Sequence, residues 1–229
     1  MSVTLILPVY NDLTELKSGI NYFLNNKTIE CEIIVVDDGS RYANQYKEIC
    51  STINAKYIRL GKNSGKGAAI KAGALASSSD YIIFTDSDFP YEYKDFQAVL
   101  NKLQNENSDL VCGSRFSNRS YYSNISFLRG RLSKLFNFLV KQSIGTGTID
   151  SQCGLKGFNK KTVIPLFCEQ RIQRYCFDVE ILAKALKLNY QIDSVPVTIR
   201  EMSPGSLRLY KDGWQMLRDL AKIFFWYRF

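Results

Sequence analysis

The first half of the chain alternates short β-branched, apolar runs with longer stretches in which apolar positions recur at helical spacing. Val3 to Val9, Glu32 to Asp37, Lys56 to Leu60, Tyr81 to Asp86 and Asp109 to Gly113 read as strands. Runs such as Ile33-Ile34-Val35-Val36 are apolar without alternation, as strands are when helices cover both faces of a parallel sheet. The stretches between them are long enough for crossover helices, so the pattern predicts a mostly parallel, doubly wound α/β sheet with helices on both faces. After Arg115 the rhythm changes. A Tyr/Ser/Asn-rich loop leads to a helix from Phe127 to Val140, a Gly-Thr-Gly-Thr turn at Gly145 to Thr148 and a strand through Cys153 to Phe158. Helices near Thr162 and Asp178, a strand from Tyr190 to Val197 and a last helix from Asp212 to Phe225 follow. No Pro/Gly/Ser linker and no internal repeat interrupts residues 1–229, so the expectation is one domain whose second half completes the sheet of the first.

In an open α/β sheet, ligands gather at the carboxyl ends of the strands. Strand one runs out into Pro8-Val9-Tyr10-Asn11-Asp12, strand two into Asp37-Asp38-Gly39-Ser40 and strand four into Asp86-Ser87-Asp88. Asp12 and Ser40 read as caps of the helices that follow. Carboxylates from three strands nevertheless converge on one rim, where they repel unless a cation or a hydrogen-bond donor lies between them. Asp86 and Asp88, two apart on an extended stretch, are expected to share a face, and two hard oxygen ligands there suit Mg2+ or Mn2+ shared with a diphosphate. Asn63-Ser64-Gly65-Lys66-Gly67 follows strand three and opens a helix of small residues, Ala68 to Ala76. It admits two readings: phosphate contact through Lys66 and the helix N-terminus, or a tight turn that lets the helix pack closely on the sheet. It is neither a P-loop nor a dinucleotide fingerprint.

Composition narrows the chemistry. The absence of histidine excludes Ser-His-Asp and Cys-His catalysis and every His-based metal site, which leaves carboxylates as acids, bases or ligands. A net charge of +8 favours an anionic partner: nucleic acid, a phosphorylated substrate or an anionic membrane. The six cysteines form no CxxC pair and sit mostly in apolar segments, which predicts buried, reduced thiols and a reducing compartment. Met1 leads into Ser-Val-Thr-Leu-Ile-Leu without the basic leader of a signal peptide, and no segment approaches the roughly 20 apolar residues that span a bilayer. A cytoplasmic protein, soluble or peripheral, is expected.

Pro8-Val9-Tyr10-Asn11, Ile34-Val35-Val36-Asp37-Asp38-Gly39-Ser40, Asn63-x-Gly65-Lys66-Gly67 and Asp86-Ser87-Asp88 together resemble the family 2 inverting glycosyltransferases of the GT-A fold. Gly113-Ser114-Arg115, Asp150-Ser151-Gln152-Cys153-Gly154-Leu155-Lys156-Gly157-Phe158, Phe177-Asp178-Val179-Glu180 and Val195-Pro196-Val197 are similar to dolichyl-phosphate β-glucosyltransferases and their bacterial polyprenyl-phosphate relatives. The resemblance covers nearly the whole chain. It implies a UDP-sugar donor, glucose as the hexose, a polyprenyl (dolichyl or undecaprenyl) phosphate acceptor, inversion, Mg2+ or Mn2+, and residence on the cytosolic face of a membrane. Residues 1–115 would bind the nucleotide sugar, 116–211 would form the acceptor side, and the 212–229 helix would pack on the core or face a membrane.

Residue by residue, the resemblance implies that Asp38 holds the base, that Pro8 and Tyr10 flank it, and that Lys66 and Asp86 serve the sugar nucleotide. Asp86 and Asp88 would hold the metal, Asp150 stands with Asp88 as a catalytic carboxylate, and Arg115, Arg129 and Ser133 would bind the acceptor phosphate. Two departures stand out: Ile199-Arg200-Glu201 replaces the family's Trp-x-Glu, and Gly205-Ser206-Leu207 its Gly-Ser-Lys. Arg200, Arg208 and Lys211 thus remain alternatives for closing over the diphosphate. A family 2 transferase with a polysaccharide or other hydroxyl acceptor is the competing reading, against which the paired arginines argue. Nucleic acid is not expected as a partner, because the acidic rim would repel a phosphate backbone. A homo-oligomer stays open.

Overall fold

The computed structural model describes residues 1–115, 127–147, 149–200 and 209–227. Four strand-and-helix pairs and a fifth strand open the chain: β1 (Val3–Val9), α1 (Leu13–Asn26), β2 (Glu32–Asp37), α2 (Ala43–Thr52), β3 (Lys56–Arg59), α3 (Lys66–Ala76), β4 (Tyr81–Phe84), α4 (Tyr93–Asn105) and β5 (Leu110–Ser114). The remainder supplies α5 (Phe127–Ile144), β6 (Lys156–Asn159), α6 (Lys160–Phe167), α7 (Phe177–Lys187), β7 (Ile192–Pro196) and α8 (Leu209–Tyr227).

The strands form one sheet in the order β3-β2-β1-β4-β6-β5-β7. Only β6 runs against its neighbours, pairing antiparallel with both β4 and β5. The expected mostly parallel sheet is therefore present, and the second half of the chain completes it. Alternate residues of each strand feed opposite faces. Ile6, Ile34, Val36, Ile82 and Phe84 pack with α3, α6, α7 and α8 on one side. Leu5, Leu7, Ile33, Val35 and Ile83 pack with α1, α2 and α4 on the other. Continuous apolar runs were needed because neither face meets water.

The small-residue helix α3 shows why the chain spends glycine there. A Cβ at Gly73 would lie 2.7 Å from the Ile6 side chain, and one at Gly67 would lie 2.5 Å from Phe177, so both positions let α3 sit directly on its neighbours. The tight turn, one of the two readings of this segment, is at Gly65, whose φ of 108° residues with a side chain rarely adopt.

Element ends differ from the sequence reading where polar groups take over the backbone. The fourth strand stops at Phe84 rather than Asp86, because the Phe89 amide donates to the Asp86 carbonyl at 3.0 Å and closes a turn. The strand expected from Cys153 starts at Lys156, since the Gly154 amide turns away to the Tyr91 hydroxyl at 3.0 Å. All six cysteines are free, and five are buried or partly so; Cys168, expected inside, is exposed at the end of α6.

Candidate active site

The chain leaves β1 toward β2 on one side, while β4, its other neighbour, leads to the opposite half of the sheet. A crevice opens at such a reversal, beyond the carboxyl ends of the two strands. The loops after β1, β2 and β4 meet there and are laced together. The Ser87 hydroxyl donates to Asp12 Oδ2, the Asn11 amide donates to Ser40 Oγ at 3.1 Å, and the Arg41 amide donates to Asn11 Oδ1 at 3.0 Å. Asp12 and Ser40 are thus braces rather than the helix caps expected. Asp12 stands at the start of α1 but caps nothing; its Oδ1 accepts from the Tyr46 hydroxyl at 2.9 Å and the Tyr10 amide at 3.0 Å. Burial raises its pKa above the ordinary carboxylate value despite those donors.

Asp38 is 4% exposed and organises the next loop. Its Oδ1 accepts from the Ser64 amide and its Oδ2 from the Gly65 amide, each at 2.7 Å. One carboxylate at the end of β2 therefore fixes the turn that starts α3. Burial raises its pKa, against the pull of the two amides. A carboxylate has about four lone-pair sites, so two acceptor positions remain for a further donor. Tyr10 is 48% exposed beside it at the rim, and Pro8 lies half-buried within the last residues of β1.

Lys66, the first residue of α3, forms a short ion pair with Asp86 across the crevice. Beneath it lies a second pair, to which the sequence reading assigned no role: Lys156 Nζ meets Asp178 Oδ1 at 3.1 Å, with 1% and 9% of their side chains exposed. The charges thus alternate from rim to interior through Asp86, Lys66, Asp178 and Lys156. Burial works against the Lys66 ammonium, but Asp86 and Asp178 outweigh it and raise its pKa. Burial likewise raises the Asp178 carboxyl, with Lys156 and Lys66 opposing. A lysine inside the apolar strand β6 was the available signal, because a buried ammonium needs a carboxylate partner. The phosphate reading of the α3 N-terminus is narrowed too, since the Ala68 amide already donates to Gln173 O at 3.2 Å.

The turn at Asp86 corrects the expectation that Asp86 and Asp88 share the face of an extended stretch: they stand at the first and third positions of a β-turn, with Phe89 at φ 47°. Gly154 makes room for Asp86, since a Cβ there would lie 2.2 Å from Asp86 Oδ2. Arg200 holds the turn from below. Its Nη2 donates to the Asp88 carbonyl at 3.1 Å while its guanidinium lies 4.1 Å over the Tyr22 ring. Among the described residues no three Asp, Glu, Cys or His side chains converge as metal ligands. Of the described side chains, a cation at this rim would draw on Asp86 and Asp88, and take its other positions from ligand oxygens and water, which is how Mg2+ is ordinarily held. Two hard carboxylates suit such an ion, which would take the place at Asp86 that the Lys66 ammonium now holds.

At the end of β5, Arg115 grips Asp150 with two prongs, Nε to Oδ2 at 2.7 Å and Nη2 to Oδ1 at 2.9 Å. The Arg115 amide adds a third bond to Oδ2 at 3.1 Å. Asp150 is 0% exposed. Burial alone would raise its carboxyl, yet the Arg115 hydrogen bonds and charge prevail and lower its pKa. Neighbouring Ser151 donates to Asn137 Oδ1 at 3.2 Å, so one face of α5 looks toward this pair. Ser133, one turn earlier on that face, is half-buried. Arg129 lies in the first turn of α5, but its side chain, that of Lys211, and Arg208 and Glu201 altogether, lie outside the described residues.

Residues 4–167 match Glycosyl transferase family 2. The chain is 34% identical to a dolichyl-phosphate beta-glucosyltransferase of Dictyostelium discoideum, over 98% of its own length and 74% of that protein's. It is 30% identical to the enzyme of that name from Mus musculus, over 96% and 74%. Among solved structures, glucosyl-3-phosphoglycerate synthase from Mycobacterium tuberculosis, crystallised with Mn2+, UDP and phosphoglyceric acid, superposes with a TM-score of 0.71 at 18% identity. That superposition covers 99% of this chain and 78% of the other and establishes the common fold. With its strand-end motifs gathered at one crevice and most of its length matched, the chain belongs to glycosyl transferase family 2.

Proposed function

We propose that this protein transfers glucose from UDP-glucose to the phosphate of a polyprenyl phosphate, with inversion at the sugar, at the cytosolic surface of a membrane. The names of its relatives support the substrates. The observation that carries the acceptor assignment is Arg115, an arginine with 13% of its side chain exposed, oriented at the rim by a fully buried carboxylate. A guanidinium fixed in that way is suited to a phosphate, which it holds through a planar fork.

In this reading Asp38 accepts from the base, Pro8 and Tyr10 flank it, and Lys66 exchanges Asp86 for the diphosphate. Asp86 and Asp88 would hold Mg2+ or Mn2+, which when bound neutralises charge on the departing diphosphate. Arg115, with Arg129 and Ser133 from α5, positions the acceptor phosphate opposite the leaving group. A phosphate oxygen forms the new bond to the anomeric carbon as the bond to UDP breaks, and UDP leaves with the electron pair. The nucleophile is already anionic near neutral pH, a phosphate monoester having its second pKa at about 6, so no histidine or other base is required. Asp150 acts here through Arg115 as a positioning residue, since both of its oxygens accept from that guanidinium. A hydroxyl acceptor would need a base, and a buried carboxylate with a lowered pKa is poorly placed to be one.

The test offers the protein Mg2+, UDP-glucose and either polyprenyl phosphate or the unphosphorylated polyprenol. Glucose is expected on the phosphate and not on the alcohol. Glucose on the alcohol would overturn the reading.

A further inference from the structure

Helix α8 carries two apolar stripes where packing requires one. Met216, Leu220 and Ile223 are buried against the core. Trp214, Leu217, Phe224 and Phe225 recur at helical spacing on another side, roughly a third of a turn away, and face outward. Trp214 is 75% exposed and Phe225 67%. The neighbouring helix α5 repeats the arrangement: Asn137, Val140 and Ile144 point inward while Leu132, Leu135 and Phe138 are exposed, the last two by 54% and 55%. Of the thirteen exposed large hydrophobic side chains among the described residues, eight lie on these two helices. Single exposed hydrophobics are ordinary, but this concentration marks an interaction surface.

Its charge identifies the partner. The sequence of α5 contains no acidic residue, and its exposed face carries Arg131 and Lys134 between the apolar side chains. On α8, Arg218 and Lys222 border the outward apolar stripe; of that helix's two acids, Asp219 is buried and pairs with Lys222 at 3.3 Å, and Asp212 is half-buried in the first turn. An apolar stripe edged with cations matches an anionic lipid surface, where rings and aliphatic chains enter the acyl boundary and ammonium and guanidinium groups meet the headgroups. A second copy of the chain, brought face to face, would set these cations against one another. No helix among the described residues is long and apolar enough to cross a membrane.

We infer that the outward faces of α5 and α8 form one platform that docks on an anionic lipid surface. Because α5 also turns its Ser133 and Asn137 face toward the Arg115–Asp150 pair, docking would bring the acceptor side of the crevice to the bilayer. That purpose rests on the lipid-acceptor reading above; the contact itself does not.

Vesicle flotation with and without lipid charge tests it. Vesicles of phosphatidylcholine mixed with phosphatidylserine, lacking any polyprenyl phosphate, are expected to carry the protein, and pure phosphatidylcholine to carry less. The double variants Leu135→Ser/Phe138→Ser and Trp214→Ser/Phe225→Ser should each lower partitioning by roughly tenfold or more, the scale set by losing one buried apolar side chain. Their UDP affinity and melting temperature should stay near wild type, which separates lost docking from lost folding. Absence of binding, or equal binding by these variants, would overturn the platform. So would a solution dimer that the same substitutions convert to monomer. Vesicle binding without glucose transfer would refute the lipid-acceptor reading and leave the platform standing.

Discussion

Arg115 and Asp150 form a two-pronged ion pair at the end of β5, with the carboxylate wholly buried and 13% of the arginine side chain exposed. Removing the buried carboxylate as Asp150→Ala should destabilise the fold by about 3–5 kcal/mol, because it strips the partner from a charge already withdrawn from water. Chemical denaturation measures this. Arg115→Lys, which keeps charge but loses the fork, should cut transfer while leaving UDP affinity intact; unchanged transfer would remove Arg115 from the acceptor site.

The same pair sets a pH dependence. Asp150 has a folded pKa below that of the unfolded chain, about 3.9. Its stabilisation is therefore complete above that value and is lost as pH falls through the lower folded pKa. Asp150→Asn should unfold at a less acid-dependent denaturant midpoint than wild type between neutral pH and strong acid. An identical pH dependence in the two proteins would show that the pair contributes nothing to acid unfolding.

Much of this was legible in the sequence because the sheet is buried on both faces. Runs such as Ile33 to Val36 and the polar residues that end each strand announced both the architecture and the rim. What escaped was set by side-chain partners. Asp86 and Asp88 were read as an extended pair, and only the Phe89-to-Asp86 hydrogen bond reveals the turn. Asp12 has the position of a cap, yet Tyr46 and Ser87, from distant elements, claim its oxygens. Lys156 and Asp178, 22 residues apart in the numbering, meet beneath Lys66 only because β6 inserts antiparallel between β4 and β5.

The amides of Ser64 and Gly65 make Asp38 a fixed point of the loop that opens α3. Asp38→Ala should leave two donors unsatisfied, at about 1–3 kcal/mol each, and weaken UDP binding by calorimetry. UDP should bind far better than ADP to wild type. Equal affinity for the two diphosphates would exclude Asp38 as the group that accepts from the base.

Gly154 gives the sharpest steric test of Asp86. In Gly154→Ala the new methyl meets Asp86 Oδ2 at 2.2 Å, so the carboxylate must move. The expected outcome is a folded protein with weaker UDP binding in Mg2+ and little change in EDTA. Equal loss in both conditions would separate Gly154 from any metal role of Asp86.

Identification of the product tests the central claim most directly. The protein is incubated with Mg2+, polyprenyl phosphate and each of several nucleotide sugars, and the lipid fraction is analysed by mass spectrometry and NMR. UDP-glucose is predicted to give a polyprenyl phosphate bearing one β-linked glucose, the anomer that inversion of the donor's α-linkage demands. A lipid fraction without sugar, or an α-linked product, would contradict the account.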